Sequence, residues 1–177
     1  AGARTRVGEV GFEGLPAEVD RGPALETVRA KPGEALKPEV VRNDQERLQH
    51  LLIRSGYRTA TVEPAEVARR DGAPVADLAW RISAGPQVDL ELLGAERKAL
   101  ERRGLLPFLG DAGYDEALLV QSSGLIRADY QRRGHYDVRV TGEERRESED
   151  RLVVRLEVDP GPRFTLEEVE FEGNESF

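Results

Sequence analysis

Cysteine is absent from the 177 residues and so is methionine, while histidine occurs twice and tryptophan once. Without a thiol the chain has no disulfide, no thiolate metal site and no cysteine nucleophile. A lack of thiols also suits an oxidising compartment. No stretch approaches the roughly 18 consecutive apolar residues of a membrane-crossing helix, and no signal-peptide core opens the chain. Basic residues are outnumbered by acidic ones, 26 against 34, giving a formal charge of −8. An average field of that sign repels a phosphate backbone or an anionic lipid surface, so no nucleic acid partner is expected. No glycine-rich phosphate loop or closely spaced histidine pair occurs, and no cofactor is indicated. With no methionine even at position 1, the chain is expected to be a piece of a longer polypeptide whose targeting signals and membrane part lie elsewhere.

What is present is self-similarity. Val10-Gly-Phe12-Glu-Gly14, Leu90-Glu-Leu92-Leu-Gly94 and Val169-Glu-Phe171-Glu-Gly173 each place two alternating apolar residues before a glycine, at starts 80 and 79 residues apart. Arg54-Ser-Gly56-Tyr57 recurs 78 residues on as Arg132-Arg-Gly134-His135-Tyr136, and Ser83-Ala-Gly85-Pro86 recurs 76 on as Asp159-Pro-Gly161-Pro162. A fixed period makes each repeat a structural unit. Residues 1–85 and 86–163 are therefore expected as two units, and 164–177 as the opening strand of a third.

Within a unit the hydrophobic period changes twice. Val10 and Phe12 alternate with polar neighbours, as in a half-buried strand. Ala24, Leu25 and Val28 then share one face of a short helix that Lys31-Pro32-Gly33 ends. Pro38 suits a helix first turn, and Val41, Leu48, Leu51, Leu52 and Ser55 form one stripe up to Gly56. Beyond Gly56 the period falls to 2, and Tyr57–Val67 and Pro74–Ser83 read as strands joined at Arg69-Arg-Asp-Gly72. The second copy follows suit. It has helices over 95–103 and 114–133, the latter with Leu118, Ser122, Leu125 and Tyr130 on a stripe. A strand from Tyr136 comes next, then a charged turn over 142–150, and a last strand carrying Leu152, Val154, Leu156 and Val158. Trp80, alternating with Leu78 and Ile82, is expected in the core. Tyr57 and Tyr136 are expected to cover the bottom of their sheets.

Three strands cannot close a barrel, so the fold class expected is α+β: tandem two-layer domains, each a three-stranded mixed sheet packed on two helices in the order β-α-α-β-β. Gly85-Pro86 and Gly161-Pro162 are the expected inter-domain joints, short and semi-rigid because proline fixes φ. The array is expected to be an elongated row of such units with restricted bending.

A helix ending in Gly-Tyr or Gly-x-Tyr, two strands, a Gly-Pro joint and a strand running into Gly173-Asn174 together resemble the POTRA repeat of outer-membrane barrel assembly and translocation proteins, the BamA and TamA group. The likeness covers essentially the whole chain. It departs at Gly14-Leu15 and Gly94-Ala95, where the family often has Gly-Asn. The resemblance implies a periplasmic segment joined to a C-terminal outer-membrane β-barrel of the same chain. It also implies a non-catalytic role: binding unfolded outer-membrane proteins and periplasmic or lipoprotein subunits, and helping to deliver clients to the barrel. Two other roles are kept beside it, the substrate-gripping module of a dedicated two-partner secretion transporter and an envelope or cell-division scaffold. Having opened a third repeat, the chain is expected to serve assembly.

Catalysis lacks convergent groups. His50 and His135 fall in different repeats, and the carboxylates are spread as on a solvated surface. The binding chemistry the architecture permits is strand addition, in which an exposed sheet edge offers its unpaired N–H and C=O groups to an extended peptide. Pro64 places its strand at an edge and blunts it. The matching strand of the second repeat, Tyr136, Asp137, Val138, Arg139, Val140, Thr141 and Gly142, carries no proline and is the expected docking strand.

Overall fold

The computed structural model describes residues 5–165. The opening strand expected from the third copy of the motif lies outside them, apart from its first two residues. Chain order in the first repeat is β1 (Arg6–Glu13), α1 (Arg21–Thr27), α2 (Pro38–Arg54), β2 (Thr61–Val62), β3 (Glu66–Arg69) and β4 (Val75–Ser83). The second has β5 (Gln87–Leu93), α3 (Arg97–Arg102), a 3-10 turn over Pro107–Leu109, α4 (Glu116–Arg132), β6 (Arg139–Ser148) and β7 (Arg151–Asp159).

Each repeat has its own mixed sheet. In the first, β4 is central, with β1 parallel on one side and β2 and β3 antiparallel on the other. β2 and β3 are two lengths of one edge, separated around Pro64, where the register against β4 shifts by one residue. In the second, β7 lies between parallel β5 and antiparallel β6. Helices and mixed sheets together make the class α+β.

Apolar alternation sends one face of each sheet onto its helices. Val10, Leu78, Trp80 and Ile82 meet Val28, Val41, Leu48 and Leu52 in one core, and Trp80 has no exposed surface. Val154, Leu156 and Val158 meet Leu100, Phe108, Leu119 and Ile126 in the other. Burying a side chain of this size contributes about 1.5–3 kcal/mol.

The two cores correspond residue by residue. Adding 78 turns Val41, Leu48 and Leu52 into Leu119, Ile126 and Tyr130, all buried. Adding 76 turns Leu78, Trp80 and Ile82 into Val154, Leu156 and Val158, also buried. The buried stripe of α4 is therefore set by Leu119 and Ile126, not by Leu118 and Leu125 as the sequence suggested; those two are half-buried at its margin. Gly14 and Gly94 show why each opening strand ends in glycine. Both have positive φ, and a Cβ would stand 2.2 Å from the carbonyl oxygen of Ile82 at Gly14 and 1.8 Å from that of Val158 at Gly94.

Several boundaries differ from expectation. The segment 57–60 is a turn, not strand, and so are Tyr136 and Asp137. The charged run expected as a hairpin turn over 142–150 is mostly strand: β6 continues to Ser148, and the reversal is confined to Glu149 and Asp150. β7 provides the reason, since it pairs with β6 from Arg139↔Asp159 to Ser148↔Arg151. Tyr57 is buried as expected, but Tyr136 is 62% exposed. Its counterpart is Arg58, because Tyr57 itself corresponds to His135 in the matching turns.

Candidate docking edge and repeat joint

An edge strand can accept another strand only where its outer main-chain groups are free. β1 is partly covered: Val7 exchanges backbone bonds with Glu34 and Gly33 at 2.8 Å, and the Arg21 guanidinium donates to the Val10 carbonyl at 3.2 Å. The β2–β3 edge is broken at Pro64, and Gln45 Nε2 donates to the Val62 carbonyl at 2.7 Å. Beside that break, Leu36, Pro38, Val41, Pro64 and Val67 line a shallow apolar groove.

β6 differs. Among the described residues it is the longest strand, it pairs with β7 alone, and no other backbone bonds to it. Gly142 is the counterpart of Pro64, so the outer ladder here is unbroken. Its orientation follows from the first repeat, where Glu63 donates its N–H to Arg81 at 2.9 Å. The matching pair is Thr141↔Glu157. Antiparallel pairs alternate between bonded and non-bonded residues, so Arg139, Thr141 and Glu143 face β7 with their peptide groups. Val140, Gly142 and Glu144 present theirs to the open side.

The side chains of that second set point toward the helix layer. Val140 is buried, Gly142 lies against Leu119 and Ser123 of α4, and Glu144 accepts the Tyr114 hydroxyl. Burial, reinforced by the Glu144 carboxylate, pushes the Tyr114 phenol above its ordinary range. On the opposite face, charges of both signs alternate; Arg145 pairs with Glu147 at 2.8 Å and Arg155 with Glu143 at 3.8 Å. Such a surface sets no strong charge preference for what lies along it.

Of the residues singled out from sequence, Arg139, Val140, Thr141 and Gly142 lie on the edge, while Tyr136, Asp137 and Val138 form the turn that enters it. His50 is exposed on α2. His135 is half-buried beyond the end of α4, with Nδ1 3.3 Å from the Gly161 carbonyl. Among the described residues no cluster of three or more histidines or carboxylates has the arrangement to hold a metal.

The joints are built from more than Gly-Pro. Gly85 lies against the Thr59 side chain, and Gly161 against Asp137. The Gly56 carbonyl accepts the Val88 amide at 2.9 Å, and the Arg58 carbonyl accepts the Tyr114 amide at 2.8 Å. Arg58 also donates to the Phe108 carbonyl at 3.4 Å, and burial, with Arg97 adding repulsion, lowers its pKa. Nearby, Tyr57 donates its hydroxyl to Glu18 at 2.7 Å; burial and that bond push the phenol up to about 12. Sequence reasoning missed Arg58, whose role is carried by backbone atoms that leave no mark on residue type.

Comparison with known proteins finds a family match for the first repeat and similar chains for both. Residues 5–85 match the POTRA family, described as surface antigen variable number repeat. A curated relative, the outer membrane protein assembly factor BamA of Nitratidesulfovibrio vulgaris, is 26% identical over 96% of this chain, and the chain spans 23% of that protein's length. Solved structures similar to it include Haemophilus influenzae BamA POTRA3-5, at 19% identity and a TM-score of 0.49, covering 98% of this chain and 73% of that one. The N-terminal domain of Omp85 from Thermosynechococcus elongatus has 16% identity and a TM-score of 0.44, covering 91% and 65%. CdiB from Escherichia coli has 13% identity and a TM-score of 0.39, covering 89% and 27%.

Proposed function

We propose that this chain, whose residues 5–85 match the POTRA family, belongs to the periplasmic portion of an outer-membrane protein and is a non-catalytic docking segment for polypeptides bound for the outer membrane. Residues 1–85 and 86–163 act as its two domains, and 164–177 open a third. An extended client or partner segment adds itself to the outer side of β6, between Arg139 and Ser148. The repeats hold it near a C-terminal barrel of the same polypeptide and release it there.

The observation that carries this reading is the open outer ladder of β6. Strand addition draws its affinity from main-chain hydrogen bonds, so it tolerates many client sequences. Each such bond nets only about 0.5–1.5 kcal/mol, so a few of them hold a client reversibly. The first repeat, with its edge interrupted at Pro64, serves mainly to position the second.

The test is an amide NMR titration with extended peptides taken from outer-membrane barrel strands. Shifts clustered on residues 139–148, lost when alternate peptide amides are N-methylated, support strand addition. Shifts confined to the helices, or indifferent to N-methylation, overturn it.

A further inference from the structure

We propose that Tyr136, beside Phe164 at the start of a third repeat of the same polypeptide, is the seat on which that repeat docks, through the Tyr136 carbonyl. In the first joint, the Gly56 carbonyl accepts the Val88 amide and the Arg58 carbonyl accepts the Tyr114 amide. Gly113 makes the second bond possible, lying so close that a Cβ there would stand 2.4 Å from the Arg58 oxygen. Val88, at the centre of this joint, is only 7% exposed.

The second joint has the first half of this arrangement. The Gly134 carbonyl accepts the Phe164 amide at 2.8 Å, and these residues are Gly56 and Val88 displaced by 78 and 76. The other half is open. Tyr136 stands where Arg58 stands, and among the described residues no backbone amide reaches its carbonyl. Its ring lies 6.1 Å from that of Phe164, with 62% of Tyr136 and 49% of Phe164 exposed. Two adjacent exposed aromatics form an apolar patch of the kind that marks an interface.

The occupant is set by the repeat. What reaches Arg58 is the helix-to-helix loop of the unit that follows it, through Phe108, Gly113 and Tyr114. The chain leaving Phe164 likewise leads to whatever unit follows, and the matching loop of that unit reaches Tyr136. Its backbone N–H bonds the Tyr136 carbonyl, and its apolar residues close over the two rings. This inference rests on the repeat and not on the β6 edge, so the two succeed or fail separately.

Nitration by tetranitromethane, mapped by mass spectrometry, tests it. Tyr57, Tyr114 and Tyr130 are each 8% exposed, which leaves Tyr136 as the reactive phenol of the 177-residue chain. In the full natural polypeptide, Tyr136 should nitrate at least tenfold more slowly than in the 177-residue chain. Equal rates overturn the proposal. So does protection within the 177-residue chain that rises with its concentration, the mark of a second copy, or protection that appears only when client peptide is added. A Tyr136→Cys variant gives the same comparison by maleimide labelling, since residues 1–177 contain no cysteine of their own.

Discussion

The carboxylate of Asp44, on α2, accepts the backbone amide of Ala30 at 2.8 Å and has no exposed surface. The Arg29 amide reaches the same carboxylate at 2.9 Å and the Arg47 guanidinium at 2.5 Å. Asp44 thereby holds the end of the segment after α1 onto α2. Its counterpart, Ser122, is equally buried but bonds only within its own helix, to the Leu118 carbonyl.

Asp44→Ala leaves two amides and a guanidinium without their acceptor, and should lower the stability of the first repeat by about 3 kcal/mol. Asp44→Asn keeps one acceptor and should lose less. Urea unfolding followed by Trp80 fluorescence reads this repeat alone, since Trp80 is the single tryptophan and lies in the first core.

Gly94→Ala forces a side chain against the Val158 carbonyl at a backbone angle that L-residues avoid. A loss of about 1–3 kcal/mol is expected in the second repeat, visible as a lowered thermal midpoint by circular dichroism. Gly14→Ala should act likewise on the first.

Gly142→Pro transplants into β6 the break that the first repeat carries at Pro64. The N–H it removes faces the open side, so once the Leu119 and Ser123 side chains shift by a few tenths of an ångström to admit the ring, the domain should stay folded, while peptide-induced NMR shifts on residues 139–148 disappear. Thr141→Pro is the contrasting control: its N–H faces β7, and it should lower stability outright by breaking the ladder.

Tyr57 supplies a pH signature. Its folded-state pKa, about 12, exceeds the ordinary phenol value of 10, because burial and the Glu18 carboxylate favour the neutral form. That stabilisation is fully present below pH 10 and is lost as pH rises through about 12. The stability of wild type should therefore fall over that window more steeply than that of Tyr57→Phe, measured by urea midpoints from pH 9 to 12.

His50→Ala and His135→Ala should each leave client binding and growth complementation intact. Loss of function in either variant, with expression and fold retained, would restore a chemical role for the imidazole.

Strand alternation was legible because Val10, Phe12, Leu78, Trp80 and Ile82 repeat an in-out pattern that only a half-buried sheet requires. The distal half of β6 was not. Glu143 to Ser148 contains no apolar residue, and what extends it is pairing with β7, a long-range fact. Tyr136 misled for a related reason. It resembles Tyr57 in type, but the turn register aligns it with Arg58, and only the backbone bonds of the joint reveal that. On α4, Leu118 and Leu119 are chemically equal, so the choice between them fell to the packing of β6 against the helix. Asp44 read as one more surface carboxylate because the partners that bury it, the Arg29 and Ala30 amides, are backbone groups that leave no mark on residue type.

The first joint is tied by carbonyl and amide groups at Gly56, Val88, Arg58 and Tyr114. Sequence drift can therefore exchange most side chains around it without removing those bonds. Any stiffness these bonds confer is inherited with the backbone path. To acquire a hinge here, a descendant would need a proline at Val88 or Tyr114, or an insertion in the turn after α2. Those few changes, rather than ordinary substitution, are where flexible relatives should be sought.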